Sequence, residues 1–211
     1  MRIAALAKRC GRLDALKAVD LEVGAGEAFG LVGANGAGKT TLIRCVLDLA
    51  AYDRGEIAIF GVDARRPGAR ARRDAAREAR LLEELELERE ALERPVASLS
   101  KGMTQKLGLA ACLLAQRDLY LLDEPMSGLD PAARVAVKSV LRRLSAEGRT
   151  LFFTSHVLAD VEELCSSIAV LDRGRVRFRG TPAALCARYA ETRLERAFMR
   201  CTRDDDPATG A

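Results

Sequence analysis

The consecutive residues Gly33, Ala34, Asn35, Gly36, Ala37, Gly38, Lys39 and Thr40 fit the spacing G-x-x-x-x-G-K-[ST]. Glycines let a backbone wrap closely around an anion, so that amide N–H groups and the dipole of a following helix stabilise phosphate charge. Lys39 supplies a positive charge for β- and γ-phosphates. The Thr40 hydroxyl suits a Mg²⁺ ion that bridges those phosphates, and Thr41 adds a further hydrogen bond. A glycine-rich turn with an incidental lysine is the competing reading. An apolar strand pattern over 28–32 and a helical pattern over 41–49 supply the context that the phosphate-binding reading requires. Spacing alone does not separate kinases, GTPases, motor proteins and transporters.

The second group of reactive side chains is acidic. Leu119-Tyr120-Leu121-Leu122 is an apolar strand pattern that runs into Asp123 and Glu124. In an open α/β sheet such acids lie at the carboxyl edge, beside a phosphate loop, where Mg²⁺ would sit. Asp123 is then a metal holder, and Glu124, where the strand turns, a general base that polarises water. His156, the only histidine, follows the apolar pattern 150–153. An imidazole at a strand end can hydrogen-bond a γ-phosphate and fix the attacking water. A lone histidine is more often structural, and its place after the other motifs favours the catalytic role.

Beyond these residues, the chain resembles the ABC ATPase family at Leu99-Ser100-Lys101-Gly102-Met103-Thr104-Gln105-Lys106, which looks like that family's signature sequence. Ser127-Gly128-Leu129-Asp130 resembles the loop at the family's dimer interface, although Asp130 equally fits the N-cap of the next helix. Thr154-Ser155-His156 completes the series in the expected order. The resemblance implies a P-loop NTPase of α/β class, with an ABC-type ATPase core, a mixed sheet and a shortened α-helical subdomain. It also implies ATP and Mg²⁺ as ligands, and a homodimer or a pseudo-dimer with another cassette. Ser100, at a helix N-cap, and the flexible Gly102 would reach the γ-phosphate of ATP held by the other subunit. A separately encoded ABC-type membrane permease would hold the protein peripherally at the cytoplasmic, inner face of the membrane. The ending Leu194-Glu195-Arg196-Ala197-Phe198 is similar to the closing helix of the drug-, lipid- and polysaccharide-exporting branch.

Two departures from the family pattern stand out. Cys10 occupies the place where the family stacks adenine on an aromatic ring, and a sulfur lacks a ring's stacking area, so looser base selectivity is expected. No glutamine occurs between Thr41 and Gln105, so the residue that would contact Mg²⁺ and sense the γ-phosphate has no candidate between Phe60 and Leu99. That gap opens an alternative: a degenerate protein that binds ATP without efficient hydrolysis or permease coupling. A translation or DNA-repair ATPase on the same cassette would call for two cassettes or a long coiled-coil insertion, and the sequence contains neither.

These residues need a frame. Short apolar patterns at 28–32, 119–122, 150–153 and 168–171 alternate with helical ones, which calls for parallel core strands with helices on the faces. The segments 13–23 and 56–60 alternate apolar and polar residues and suit antiparallel strands with one wet face. Asp130-Pro131 and Thr181-Pro182 signal helix starts, with helices expected over 131–146 and 182–190. Between 65 and 93 the chain turns from arginine-rich to glutamate-rich. Leu81, Leu85 and Leu92 recur at helical spacing there, which predicts a largely solvated helix with a narrow apolar stripe. One domain over 1–202 is expected, with 70–116 as the shortened helical subdomain and 203–211 as a disordered tail.

The composition fits one globular domain: 211 residues, 49% of them hydrophobic and 30% charged. The longest apolar runs, such as 109–115, fall short of the ~20 residues of a membrane span, and the N-terminus shows no secretory h-region. The six cysteines lack the CxxC spacing of zinc or redox sites. The net charge of +4 is spread along a chain poor in aromatics, so no nucleic acid is expected.

Overall fold

The alternating and the continuous apolar patterns sort into two different sheets in the computed structural model, which describes residues 1–59, 62–63 and 75–203. The strands are β1 (Arg2–Cys10), β2 (Leu13–Glu22), β3 (Ala28–Val32), β4 (Arg54–Ile59), β5 (Val62–Asp63), β6 (Leu119–Leu122), β7 (Thr150–Ser155), β8 (Ser167–Asp172) and β9 (Arg175–Gly180). The helices are α1 (Lys39–Val46), α2 (Ala75–Glu84), α3 (Lys101–Leu114), α4 (Pro131–Ala146), α5 (Leu158–Leu164), α6 (Pro182–Arg188) and α7 (Leu194–Thr202).

The first sheet has the order β2-β1-β4-β5, and its pairs are all antiparallel. Ile3, Leu6, Leu16, Val19 and Leu21 are buried in one cluster, although Ile3 and Leu6, like Leu16 and Val19, are three residues apart; shifts in the β1–β2 register, with left-handed φ at Ala5 (46°) and Ala18 (53°), carry the buried face past the interruption. The second sheet has the order β6-β7-β3-β8-β9. It is parallel from β6 to β8, and β9 returns antiparallel, so this sheet is mixed. Every residue of β3 and β7 is buried, the mark of strands covered on both faces. The early antiparallel strands therefore do not join the parallel sheet, because only they can leave one face wet. The two sheets share a core with α1, built on Phe29 stacked against Phe152 with ring centroids 5.6 Å apart and including Leu6, Leu16, Leu42 and Val46. A second core lies under α2 to α7 and includes Leu113, Tyr120, Val137, Leu141, Leu144 and Phe153.

Helix boundaries follow their caps. The Asp130 carboxylate accepts from the Ala133 N–H at 2.9 Å at the start of α4, and the Thr181 hydroxyl accepts from the Ala184 N–H at 3.0 Å at the start of α6. The helix behind the glycine-rich loop starts two residues earlier than its apolar pattern indicated, at Lys39. α5 is pinned to α4 by buried Asp160, which pairs with Arg134 at 2.5 Å and Lys138 at 2.9 Å.

The helix expected over 65–93 is corrected. α2 ends at Glu84, where Glu86 takes a left-handed φ of 51°. The Leu87 N–H bonds the Leu82 carbonyl at 2.8 Å and the Glu86 N–H bonds Glu83 at 2.9 Å, a Schellman closure with Leu82 and Leu87 both buried. Leu81 and Leu85 do reach the core, but Leu92 lies in a 3-10 turn, Arg89–Glu93, and is 41% exposed. The chain passes a second such turn, Val96–Ser98, before α3. Phe60, the basic stretch 65–74 and the tail 204–211 lie outside the described residues.

Candidate functional site

The glycine-rich loop leaves β3 at Gly33 and enters α1 at Lys39. A side chain at Gly33 would place its Cβ 2.3 Å from the Leu171 carbonyl oxygen, so only glycine lets the loop lie this close to β8. Gly38, the residue before α1, has φ 110°, outside the range of other residues. The Lys39 side chain is almost wholly buried, and its Nζ donates to the carbonyls of Gly33 at 2.7 Å and Ala34 at 3.2 Å. Glu124 Oε1 lies 3.7 Å from the same ammonium.

Asp123 and Glu124 leave the end of β6, and the parallel register of β6 and β7 brings Thr154 alongside them. The Thr154 hydroxyl donates to Asp123 Oδ1 at 2.6 Å and accepts from the Glu124 N–H at 2.9 Å, so one buried group orients both acids. Glu124 holds a left-handed φ of 49°, uncommon for so large a side chain. Its Oε2 meets His156 Nδ1 at 2.6 Å. An ionised carboxylate only accepts, so Nδ1 carries the proton in this pair.

These groups open onto a cleft of about 440 Å³. Its lining comprises Asn35, Gly36, Gly38, Lys39, Thr40 and Thr41 of the loop and α1, Glu124, Ser127 and His156 from the segments after β6 and β7, and a wall from β1 and β2 formed by Cys10, Leu13 and Ala15. The structure thus brings Asn35, Gly36, Gly38, Lys39, Thr40 and Thr41 together with Glu124 and His156, and it places Cys10 on the same lining. Among the described residues no aromatic ring other than the imidazole is on the lining. Phe29 is buried against Phe152, and Tyr52 is half-buried outside the cleft. Arg9 and Asp14, paired at 2.9 Å on the strands beside that wall, hold the Asp14 carboxyl below its ordinary range. Behind the loop, burial pushes the Cys45 thiol up.

Other candidates lie elsewhere. Ser100 caps α3, its hydroxyl accepting from the Met103 N–H at 3.1 Å, and Gly102 follows in the first turn; neither lines the cleft. Asp130 caps α4 and is likewise off the lining. Gly33 and Ala37 are buried under the loop, while Ala34 and Asp123 are exposed without lining the cleft. In the sequence Thr154 and Gln105 stand only as members of their motif strings, whereas in the structure Thr154 sits between the two acids and Gln105 Nε2 reaches the carbonyls of Glu124 at 3.3 Å and Pro125 at 3.2 Å. Both contacts depend on how separate elements pack, and nothing local in the chain announces them.

A family model described as "ABC transporter" matches residues 16–79, and one described as "AAA domain, putative AbiEii toxin, Type IV TA system" matches 63–158. The chain is 33% identical to an uncharacterised ABC transporter ATP-binding protein of Synechocystis sp., over 82% of this chain and 58% of that protein. It is 36% identical to Nod factor export ATP-binding protein I of Paraburkholderia xenovorans, over 85% of this chain and 70% of that protein. It is 34% identical to a daunorubicin resistance ATP-binding protein of Streptomyces coeruleorubidus, over 92% and 71%. The chain thus spans between roughly three fifths and seven tenths of the length of these relatives. The 208 positions aligned with the Synechocystis protein use only 82% of the 211 residues here, about 173, so about 35 positions have no residue of this chain opposite them. Among solved structures, one titled as the ATP-binding subunit of an ABC transporter superposes with TM-score 0.83 at 28% identity, over 96% of this chain and 99% of that one.

Proposed function

The chain belongs to the family of ABC transporter ATP-binding proteins, and on that premise we propose that it binds and hydrolyses ATP to power transport by a separately encoded membrane permease. The observation that carries the reading is the convergence, in one cleft, of the Lys39 ammonium, the Glu124 carboxylate and the His156 ring bonded to it at 2.6 Å. Lys39 offsets phosphate charge at the mouth of the loop. Glu124, oriented through its backbone and its imidazole partner, takes the proton of the attacking water, and the His156 ring holds the γ-phosphate geometry.

Mg²⁺ fits the oxygen donors present. The Thr40 hydroxyl lines the cleft, and Asp123 presents a carboxylate already oriented by Thr154. Among the described residues no cluster of three or more His, Cys, Asp or Glu could hold a metal. A site with one hydroxyl and one carboxylate suits an ion that keeps waters and substrate phosphates in its shell. Bound there, Mg²⁺ would neutralise charge on the β- and γ-phosphates.

Ser100 and Gly102 lie off the chain's own cleft, as residues that complete the site of a second copy must, so the working unit is a head-to-tail dimer of this chain or a pairing with a related cassette. Among the described residues no helix is long and apolar enough to cross a membrane, and a permease would hold the dimer at the cytoplasmic face. The names of the Nod factor export and daunorubicin resistance relatives support an outward direction of transport. The deficit of about 35 positions aligned with the Synechocystis protein supports a helical subdomain, within residues 70–116, shorter than in that relative.

Steady-state ATP hydrolysis with Mg²⁺, by the wild type beside Lys39→Ala and Glu124→Gln, tests the reading. Wild-type turnover is expected, with both variants reduced about 100-fold or more. Turnover that survives Glu124→Gln would remove Glu124 as the base. ATP binding without turnover in the wild type would leave a nucleotide binder in place of an ATPase.

A further inference from the structure

Glu124 is held by more than its side-chain partners. Its backbone is left-handed, a conformation a residue with Cβ and a long side chain keeps only when its surroundings impose it. The Thr154 hydroxyl takes the Glu124 N–H, and the Ser127 N–H closes a turn on the Glu124 carbonyl at 3.0 Å. The remaining contact comes from α3: the Gln105 amide reaches the Glu124 carbonyl at 3.3 Å and the Pro125 carbonyl at 3.2 Å. Both partners are acceptors only, so the amide must present its nitrogen there, and one NH₂ group bridges two successive carbonyls. Pro125 has no N–H to donate, so the backbone bond that closes this turn is the one from Ser127, and the Gln105 amide adds a side-chain hold from a separate helix.

We propose that Gln105 is a positioning residue for hydrolysis: it fixes the Glu124–Pro125 backbone so that the Glu124 carboxylate stays between Lys39 and His156. The proposal rests on the reading of Glu124 as the water-activating base. Gln105 stands in the same helix that begins with Ser100 and Gly102, so the link ties α3 to the peptide carrying the base. A rotation of that peptide swings the carboxylate, and errors of about 1 Å at a catalytic group cost on the order of 100-fold in rate.

The test uses the full chain with Gln105→Leu, which keeps the side chain's bulk and removes the donor, and Gln105→Lys, which restores a donor. For Gln105→Leu, kcat is expected to fall about 10- to 100-fold with the half-saturating ATP concentration unchanged. Gln105→Lys should recover most of that loss, and in a Glu124→Gln background Gln105→Leu should cost nothing more. Amide hydrogen exchange gives a readout independent of turnover: the Glu124 and Ser127 amides should exchange faster in Gln105→Leu while those of β7 do not. An unchanged kcat, a loss that persists undiminished in the Glu124→Gln background, or a uniform rise in exchange would overturn the assignment. If the wild type shows no turnover, or Glu124→Gln leaves turnover intact, the functional reading fails on its own. The exchange comparison then decides alone whether Gln105 holds this peptide.

Discussion

At the scale of single residues, the cleft lining combines a lysine, two threonines and a glycine-rich loop with a thiol and aliphatic side chains. On the proposed reading Lys39, Thr40, Thr41 and the loop amides take the phosphates, which leaves Cys10, Leu13 and Ala15 to offer a thiol and aliphatic surface to the base. Cys10 pairs with Leu13 across the turn between β1 and β2 and is exposed, so a larger side chain there meets the cleft and not the core. Stacking a base on an aromatic ring contributes roughly 1–3 kcal/mol. Cys10→Tyr is therefore expected to tighten ATP binding about tenfold, and to raise the preference for ATP over pyrimidine triphosphates, because purines stack more strongly. Titration calorimetry with ATP and CTP on the wild type and the variant reads both quantities. Equal affinities in the two proteins would show that this wall does not face the base.

At the scale of elements, what was legible in the sequence was local. The buried runs at 28–32 and 119–122 and the capping pairs Asp130-Pro131 and Thr181-Pro182 carry their own signals, and their strands and helices appear where those signals place them. The end of α2 was not legible, because its left-handed closing residue is Glu86 where a glycine would have announced the turn. The same holds for the site. The loop and its lysine declare themselves, but Thr154 between two acids and Gln105 beneath Glu124 exist only once β7 and α3 are packed. α2 itself is tied to α4 by Glu84, which lies 2.8 Å from Arg143 and 2.9 Å from Arg80. Burial pushes the Glu84 carboxyl up, but hydrogen bonds from Arg143 and Arg80 outweigh it and leave the group below its ordinary value of 4.5. A carboxyl depressed in the folded state stabilises the fold above its unfolded value and loses that contribution as pH falls through the folded one. Glu84→Gln should therefore lower stability at pH 7 by about 1 kcal/mol, and the gap from wild type should narrow as the pH falls below 4.5. Urea melts at both pH values check this, and a gap that is the same at pH 7 and pH 3.5 would contradict the linkage.

At the scale of the whole molecule, the separation of Ser100 and Gly102 from the cleft decides what one chain can do alone. A copy that binds ATP through its own loop leaves the start of α3 uncommitted, and in the head-to-tail dimer proposed above each α3 start would lie over the other copy's triphosphate. Each chain carries a formal charge of +4, so two copies repel one another weakly until anionic nucleotide enters the joint between them. Association should therefore depend on ATP, and should be strongest where ATP is bound but not consumed. Glu124→Gln with Mg²⁺ and ATP is expected to double in molar mass by light scattering, and to return to the monomer when ADP replaces ATP. Adding Lys39→Ala, which removes the phosphate contact, or Ser100→Arg, which blocks the start of α3, should abolish the dimer. Because Ser100 lies outside the cleft, the Ser100→Arg chain should still bind ATP with wild-type affinity as a monomer. A dimer indifferent to nucleotide, or a Ser100→Arg chain that dimerises as well as its parent, would mean that the two copies do not share their sites.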